Sequence, residues 1–275
     1  MILDDFDARP GSATSLLRTI IGIGLRRLGG QIRIADLVAL MEAVGVTPAA
    51  TRIAVLRVKR KGLLLPEVVD GQPSYRLNPD AVPMLESGDR RIFTFRQQRD
   101  GDPWCLISYS IPETQRDARH QLRRQLGWIG CGTVATGLWI CPAFLADEAE
   151  AILNELGLRD AATLFIAETP RTVGTLADAA SRWWDLDRLR GLHQGFLASR
   201  AAESVPPTDD REAFARFVTA LDEWRILPYL DPGLPPSALP ADWPGFDSVA
   251  LFERITAVLA APAQRYIDAT LAASN

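Results

Sequence analysis

Apolar positions recur at helical spacing through the first part of the chain. Leu16, Leu17, Ile20, Ile21 and Leu28 mark an amphipathic helix that Ser12 or Ser15 can cap and Gly29-Gly30 ends; Gly22 and Gly24 weaken it locally. Residues 31–34 predict a short strand, and Leu37, Leu40, Met41 and Val44 follow the i, i+3, i+4, i+7 spacing of a second helix. Gly45 can take the positive φ past a helix end, Thr47 is an N-cap, and Pro48 falls at the first helical position, where its missing N–H costs nothing. The third helix then runs from Pro48 to about Lys61, and Gly62 stops it. Its core face is Thr51, Ala54, Val55 and Val58; Arg52, Leu56, Lys59 and Arg60 lie opposite, Ile53 borders them, and Arg57 and Lys61 flank. Residues 63–69 are apolar and partly β-branched, Asp70-Gly71 is a hairpin turn, and residues 74–77 return. Helix, strand, helix, turn, helix, hairpin is the order of a winged helix-turn-helix, which presents a helix to DNA.

After Pro79 the pattern changes. Residues 78–91, with Pro79, Pro83 and Gly88, read as a connector, and 91–96 as an additional strand. A strand at 104–111 ends at Pro112, and a charged helix covers 113–126. Strands at 128–136 and 137–141, a helix at 145–156 and a strand at 162–167 complete a βαββαβ order, the ferredoxin-like split unit. From about Thr172 the chain is mainly helical, with helices over 177–198, 210–229 and 247–272 and a proline-rich ordered loop over 230–245. The expected architecture is α+β and multidomain: a winged helix-turn-helix over 1–88, a ferredoxin-like domain over 89–171 and a helical C-terminal domain over 172–275.

Charge sharpens this picture. The chain of 275 residues has a net charge of −4, yet residues 12–78 carry 10 Lys and Arg against 4 Asp and Glu, while residues 100–275 carry 15 against 24. A basic head on an acidic body suits a protein that meets a polyanion with one end. The helix cations Arg52, Arg57, Lys59, Arg60 and Lys61 can neutralise phosphates, although a basic helix in isolation is as often a solvated face. Cys105, Cys131 and Cys141 match no metal-ligand spacing, and with only His120 and His193 no metal site or cofactor is expected. The sparse cysteines fit a reduced, cytoplasmic compartment, no apolar run predicts a membrane span, and the acidic start, residues 1–12, reads as a frayed arm.

Four stretches then resemble the PaaX family, the phenylacetate-operon repressors of bacteria. They are RIAVLRVKRKGLL at 52–64, WCLISYSIPE at 104–113, LGWIGCGTVATGLWICP at 126–142 and RILPYLDPGLPPSALPADWPG at 225–245. The last is the most specific, because a generic winged-helix protein has no reason to carry it. The resemblance spans nearly the full length. It implies a homodimeric repressor of an aromatic-acid catabolic operon, without enzymatic activity, that binds double-stranded operator DNA and is released by an aryl-CoA thioester, phenylacetyl-CoA or another acyl-CoA. Carried over residue by residue, it places DNA contact on Arg52, Arg57, Lys59, Arg60 and Lys61, and on Arg76 in the wing. Ile53 and Leu56 depart from the small polar residues of the family pattern, so the operator cannot be transferred.

Two rival readings stand beside this one. The middle unit also resembles the small CRISPR-associated nucleases, whose first strand ends in a metal-binding carboxylate within a motif close to Tyr-Asp-Ile-Pro. This chain reads Tyr109-Ser110-Ile111-Pro112, and a serine does not supply the anionic oxygens a hard cation wants. A scaffold that binds another protein and no DNA is the second. Trp183 and Trp184 as a stacking platform, and Arg119, Arg123, Arg124 and Arg182 as partners for CoA phosphates, weigh no more than packing and a solvated basic face. No effector pocket follows from the sequence.

Overall fold

The computed structural model describes residues 9–28, 30–168, 170–201, 203 and 205–272. In chain order the elements are α1 (Ala13–Gly24), β1 (Gln31–Arg33), α2 (Ile34–Ala43), α3 (Pro48–Arg60), β2 (Leu64–Val69), β3 (Gln72–Leu77) and α4 (Val82–Phe93). There follow β4 (Trp104–Tyr109), α5 (Arg116–Trp128), β5 (Gly132–Ala135), β6 (Leu138–Pro142), α6 (Ala146–Glu155) and β7 (Ala162–Ala167). The remainder is helical: α7 (Leu176–Trp183), α8 (Leu186–Ser199), α9 (Asp210–Trp224), α10 (Leu227–Leu230) and α11 (Gly245–Ala272). The architecture is mixed α+β with two small sheets and a helical C-terminus.

Two compact units share these elements. The first draws on Met1–Ile92, Phe196–Arg225 and Asp247–Asn275; the second on Phe93–Gly195 and Ile226–Phe246. The residues expected as a third body, 172–275, are thus divided between the two.

In the first unit β1, β3 and β2 form an antiparallel sheet in that order. Leu17, Ile20, Leu37, Leu40, Ala54, Val55, Val58 and Leu64 are buried, so α1, α2 and α3 each contribute the apolar stripe that their spacing predicts. Ser12 caps α1, its hydroxyl accepting the Ser15 N–H at 3.3 Å. The connector expected at 78–91 and the strand at 91–96 are corrected: residues 79–93 form a 3-10 turn (Pro79–Ala81) and then α4, and 94–96 continue as an irregular segment. Asn78 starts them, its side chain accepting the Asp80 N–H at 3.1 Å and donating to the Gly62 carbonyl at 2.7 Å. Pro83 falls in the first turn of α4, where a missing N–H breaks nothing. The acidic arm expected at 1–12 lies, for residues 1–8, outside the described residues, as does Gly29. In the same unit the Trp224 ring stacks on Phe252 with centroids 4.7 Å apart, and its indole N–H donates to the Ile92 carbonyl at 3.0 Å.

The second unit holds an antiparallel sheet in the order β5-β6-β4-β7. One face, with Cys105, Ile107 and Cys141, is covered by Leu122 and Leu126 of α5 and by Ala149, Ile152 and Leu153 of α6. Trp104 and Ile140 pack in a second cluster with Ala180, Trp184, Leu186, Leu189, Leu234, Leu239 and Trp243. The proline-rich segment is therefore ordered because it seals a sheet. The helix expected over 177–198 is two helices, broken where Trp184 is extended (φ −123°, ψ 148°). The break turns its indole inward to donate to the Gly130 carbonyl at 2.8 Å, against Gly132, where a Cβ would stand 2.5 Å from the ring. Likewise α5 continues through Trp128 and the strand after it covers only Gly132–Ala135, because Gly130 at φ +84° must first turn the chain. The helix expected over 210–229 stops at Trp224, and only the single turn α10 follows.

Candidate nucleic-acid interface

The chain turns through 118° between α2 and α3. Gly45 takes φ +80° at the turn, and the Thr47 hydroxyl accepts the Ala50 N–H at 3.3 Å, with Pro48 opening α3. A cap of this kind contributes about 1 kcal/mol. Gly62 (φ +77°) ends the segment, and Asp70 (φ +51°) with Gly71 (φ +76°) closes the hairpin with both central residues left-handed, as a type I′ turn demands.

Thr51, Ala54, Val55 and Val58 fix which side of α3 is available, for all are buried. Ala49, Arg52, Ile53, Leu56, Arg57, Lys59 and Arg60 are exposed, Ile53 by 53% and Leu56 by 48%. At about 100° per residue these fall into an ordered surface. Ala49, Ile53, Leu56 and Arg60 occupy its middle, Arg52 and Lys59 one rim, and Arg57 and the capping residue Lys61 the other. Among the described residues, Arg52, Arg57, Lys59 and Arg60 hold no carboxylate. Arg57, Lys59 and Arg60 also sit in the last turn, where a cation offsets the negative helix end, so the bland role coexists with the functional one.

Arg76 belongs to a different surface. It lies in the central strand β3, opposite Gln31 and Leu65, and half-buried. Strand alternation sets it on the face opposite Leu77 and Ser74 beside it on its own. The tip of the hairpin carries Glu67 and Asp70 rather than cations. The structure thus gathers the α3 cations on one helix face and leaves Arg76 on the sheet.

Outside the head, Ser110 follows β4, with its N–H donating to the Ala161 carbonyl, and Glu113 is held by Arg119 at 2.8 Å. Trp184 is core and Trp183 packs against the same cluster. Arg123, Arg124 and Arg182 are exposed on α5 and α7. Among the described residues no group of three or more His, Cys, Asp or Glu could hold a metal ion, and no single helix is long and apolar enough to cross a membrane.

Two buried polar clusters were not legible in advance. In the first unit Asp222 accepts the Ser15 hydroxyl at 2.7 Å, the Thr19 hydroxyl at 2.8 Å, the Gly11 N–H at 2.7 Å and the Arg225 guanidinium at 3.2 Å. Arg225 in turn donates to the Ser15 hydroxyl at 2.8 Å. This cluster joins α1 to α9. In the second unit the buried His193 Nε2 lies 2.9 Å from Asp231 Oδ2, while Asp231 Oδ1 accepts the Gly233 N–H at 2.8 Å. The only sequence signals were polar residues on apolar stripes: Ser15 and Thr19 at i, i+4, and Asp222 and Arg225 at i, i+3 beside Val218 and Leu221.

Comparisons with known proteins add the remaining information. Residues 12–81 match the family described as PaaX-like protein, 96–179 the PaaX protein central Cas2-like domain, and 184–269 the PaaX-like protein C-terminal domain. The chain is 26% identical over 251 residues to the Transcriptional repressor PaaX of Escherichia coli (strain K12), covering 87% of this chain and 78% of that protein. Among solved structures it is similar to an uncharacterized protein from Mycobacterium tuberculosis, with a TM-score of 0.57 and 22% identity over 94% of this chain and 98% of the other. That likeness speaks to the fold alone.

Proposed function

The chain belongs to the PaaX family, and from that premise we propose that it is a DNA-binding transcriptional regulator. The proposed role is repression of phenylacetate or related aromatic-acid catabolic genes, relieved by an aryl-CoA thioester such as phenylacetyl-CoA. One observation carries the DNA-binding reading. The exposed face of α3 carries Arg52, Arg57, Lys59 and Arg60, which hold no carboxylate among the described residues, and it follows a 118° turn and precedes a hairpin. Cations held in this way neutralise phosphates and release counterions, the sequence-independent part of DNA affinity.

On this reading residues 1–88 are a winged helix-turn-helix with α3 as the recognition helix, 89–171 a ferredoxin-like dimerisation domain, and 172–275 a helical C-terminal region whose helices are shared between the two compact units. The order β5-β6-β4-β7 within a β-α-β-β-α-β succession supports the second assignment. Arg52, Arg57, Lys59, Arg60 and Lys61 contact phosphate, and Arg76 contacts it from the sheet. Two copies of the chain set two recognition helices about one DNA turn, roughly 34 Å, or a multiple apart, so the operator is a dyad-related repeat. An acyl-CoA that binds better to the conformer off DNA shifts the population by no more than its differential affinity. DNA binding also places the protein in the cytoplasm.

The test is a fluorescence-anisotropy titration of the DNA upstream of its own operon, at several salt concentrations, with and without phenylacetyl-CoA. Specific binding with a steep salt dependence, released by the thioester, is the expected result. Specific binding that the thioester leaves intact would keep the regulator and remove that effector. No specific binding at moderate salt would overturn the reading and favour a scaffold; a magnesium or manganese nuclease assay then addresses the remaining rival.

A further inference from the structure

The middle of the exposed face of α3 is apolar where a phosphate-binding surface has no need to be. Ile53 is 53% exposed and Leu56 48% exposed, and Ala49 lies on the same stripe. Scattered exposed apolar residues are ordinary, but these are neighbours at i, i+4 and i+7 on one helix. They are flanked on both sides by cations, Arg52 and Lys59 on one rim and Arg57 and Lys61 on the other. Water-exposed apolar surface costs free energy, and its enclosure by positive charge marks it for an occupant that is anionic at its edges and apolar at its centre.

The DNA major groove has that pattern. Two phosphate backbones form its walls, and the 5-methyl groups of thymine are the apolar feature of its floor. Resting on the DNA-binding reading above, we infer that Ile53 and Leu56, with Ala49 between them and the N-terminus of α3, determine operator specificity by packing on thymine methyl groups. Arg60, at the C-terminal end of the same stripe, keeps its phosphate contact and leaves Ile53 and Leu56 to meet the bases. Recognition is therefore of thymine-bearing steps by contact, and the rims hold the register.

Substituting deoxyuridine for thymine deletes the methyl group and leaves every hydrogen-bonding edge intact. The probe is a duplex selected by the full-length protein from a random library, with its thymines replaced one at a time. Affinity should fall about three- to five-fold at one to three clustered positions per half-site, the effect of one buried methyl group. Ile53→Ala and Leu56→Ala should each abolish the thymine-to-uracil ratio at a different position. Leu56→Met should retain it, and Arg52→Ala should weaken both probes equally. Ile53, Leu56 and Arg52 are all exposed, so thermal unfolding should be unchanged in each variant.

Specific binding with no thymine-to-uracil difference at any position would overturn the inference while leaving the regulator standing. So would Ile53→Ala and Leu56→Ala proteins that keep the full ratio. Should those variants lose self-association in sedimentation with the ratio intact, the patch belongs to a second copy of the chain. Failure of the selection to enrich any sequence would remove both the inference and the reading beneath it.

Discussion

α3 and α9 belong to the same compact unit and use charge in opposite ways. On α3, Arg52, Arg57, Lys59 and Arg60 stand exposed and hold no carboxylate among the described residues. Around α9, Arg216 reaches Glu203 at 2.6 Å and Glu212 at 3.2 Å, Glu223 takes Arg200 at 2.5 Å, and Asp210 takes Arg265 at 2.6 Å. Asp222 and Arg225, at its C-terminal end, are buried together against Ser15 and Thr19. A cation already holding a carboxylate offers little to a phosphate. Availability, rather than the number of arginines, separates the surface proposed to meet DNA from the one that holds the unit together.

The largest test of this contrast is Asp222→Ala. It removes the carboxylate beside the buried Arg225 guanidinium and the acceptor of the Ser15 and Thr19 hydroxyls. Breaking a buried pair from one side costs about 3–5 kcal/mol, and urea unfolding should show a loss of that order. A midpoint unchanged within error would mean that the cluster is solvated and that α1 is held to α9 by packing alone. The opposite result belongs to Arg52→Ala combined with Arg60→Ala. Operator binding should weaken and the slope of log affinity against log salt should become shallower by about two, while unfolding changes by less than about 0.5 kcal/mol. Wild-type binding at matched salt would remove α3 from the interface.

The smallest effect concerns pH. Arg265 beside Asp210 holds that carboxyl below its usual range, and the Thr208 hydroxyl and N–H do the same for Glu212, helped by Arg216. A carboxylate whose folded value is depressed adds stability above its unfolded value, and loses it as pH falls through the folded one. The denaturation midpoint should therefore stay level from pH 7 to 5 and fall below about pH 4. Molar salt should shrink the fall, since these groups are exposed. A midpoint that drops between pH 7 and 5 would assign the transition to other groups.

The order of elements from α1 to β3 was legible because its signals are local. Thr47, Pro48, Gly62 and Asp70-Gly71 each act within a few residues, through a cap, a missing donor or a positive φ. The buried face of α3 followed from spacing alone. The break at Trp184 was not legible, because its cause is a carbonyl 54 residues away. Nor was α4: Pro79 and Pro83 look like breakers until Asn78 opens a 3-10 turn that leads into a helix with Pro83 in its first turn and Gly88 within it.

By itself the sequence determined the helices, turns and hairpin of the basic head, the β-α-β-β-α-β order from β4 to β7, and which cations share the exposed face of α3. Only the tertiary structure decided that Asp222 would hold Ser15 and Thr19, that Asp231 would meet His193, and that the proline-rich segment would seal a sheet. Periodicity and capping are fixed by neighbours a few residues apart. The partner of a buried polar group 38 or 207 positions away is fixed by packing, which leaves no trace in the local pattern.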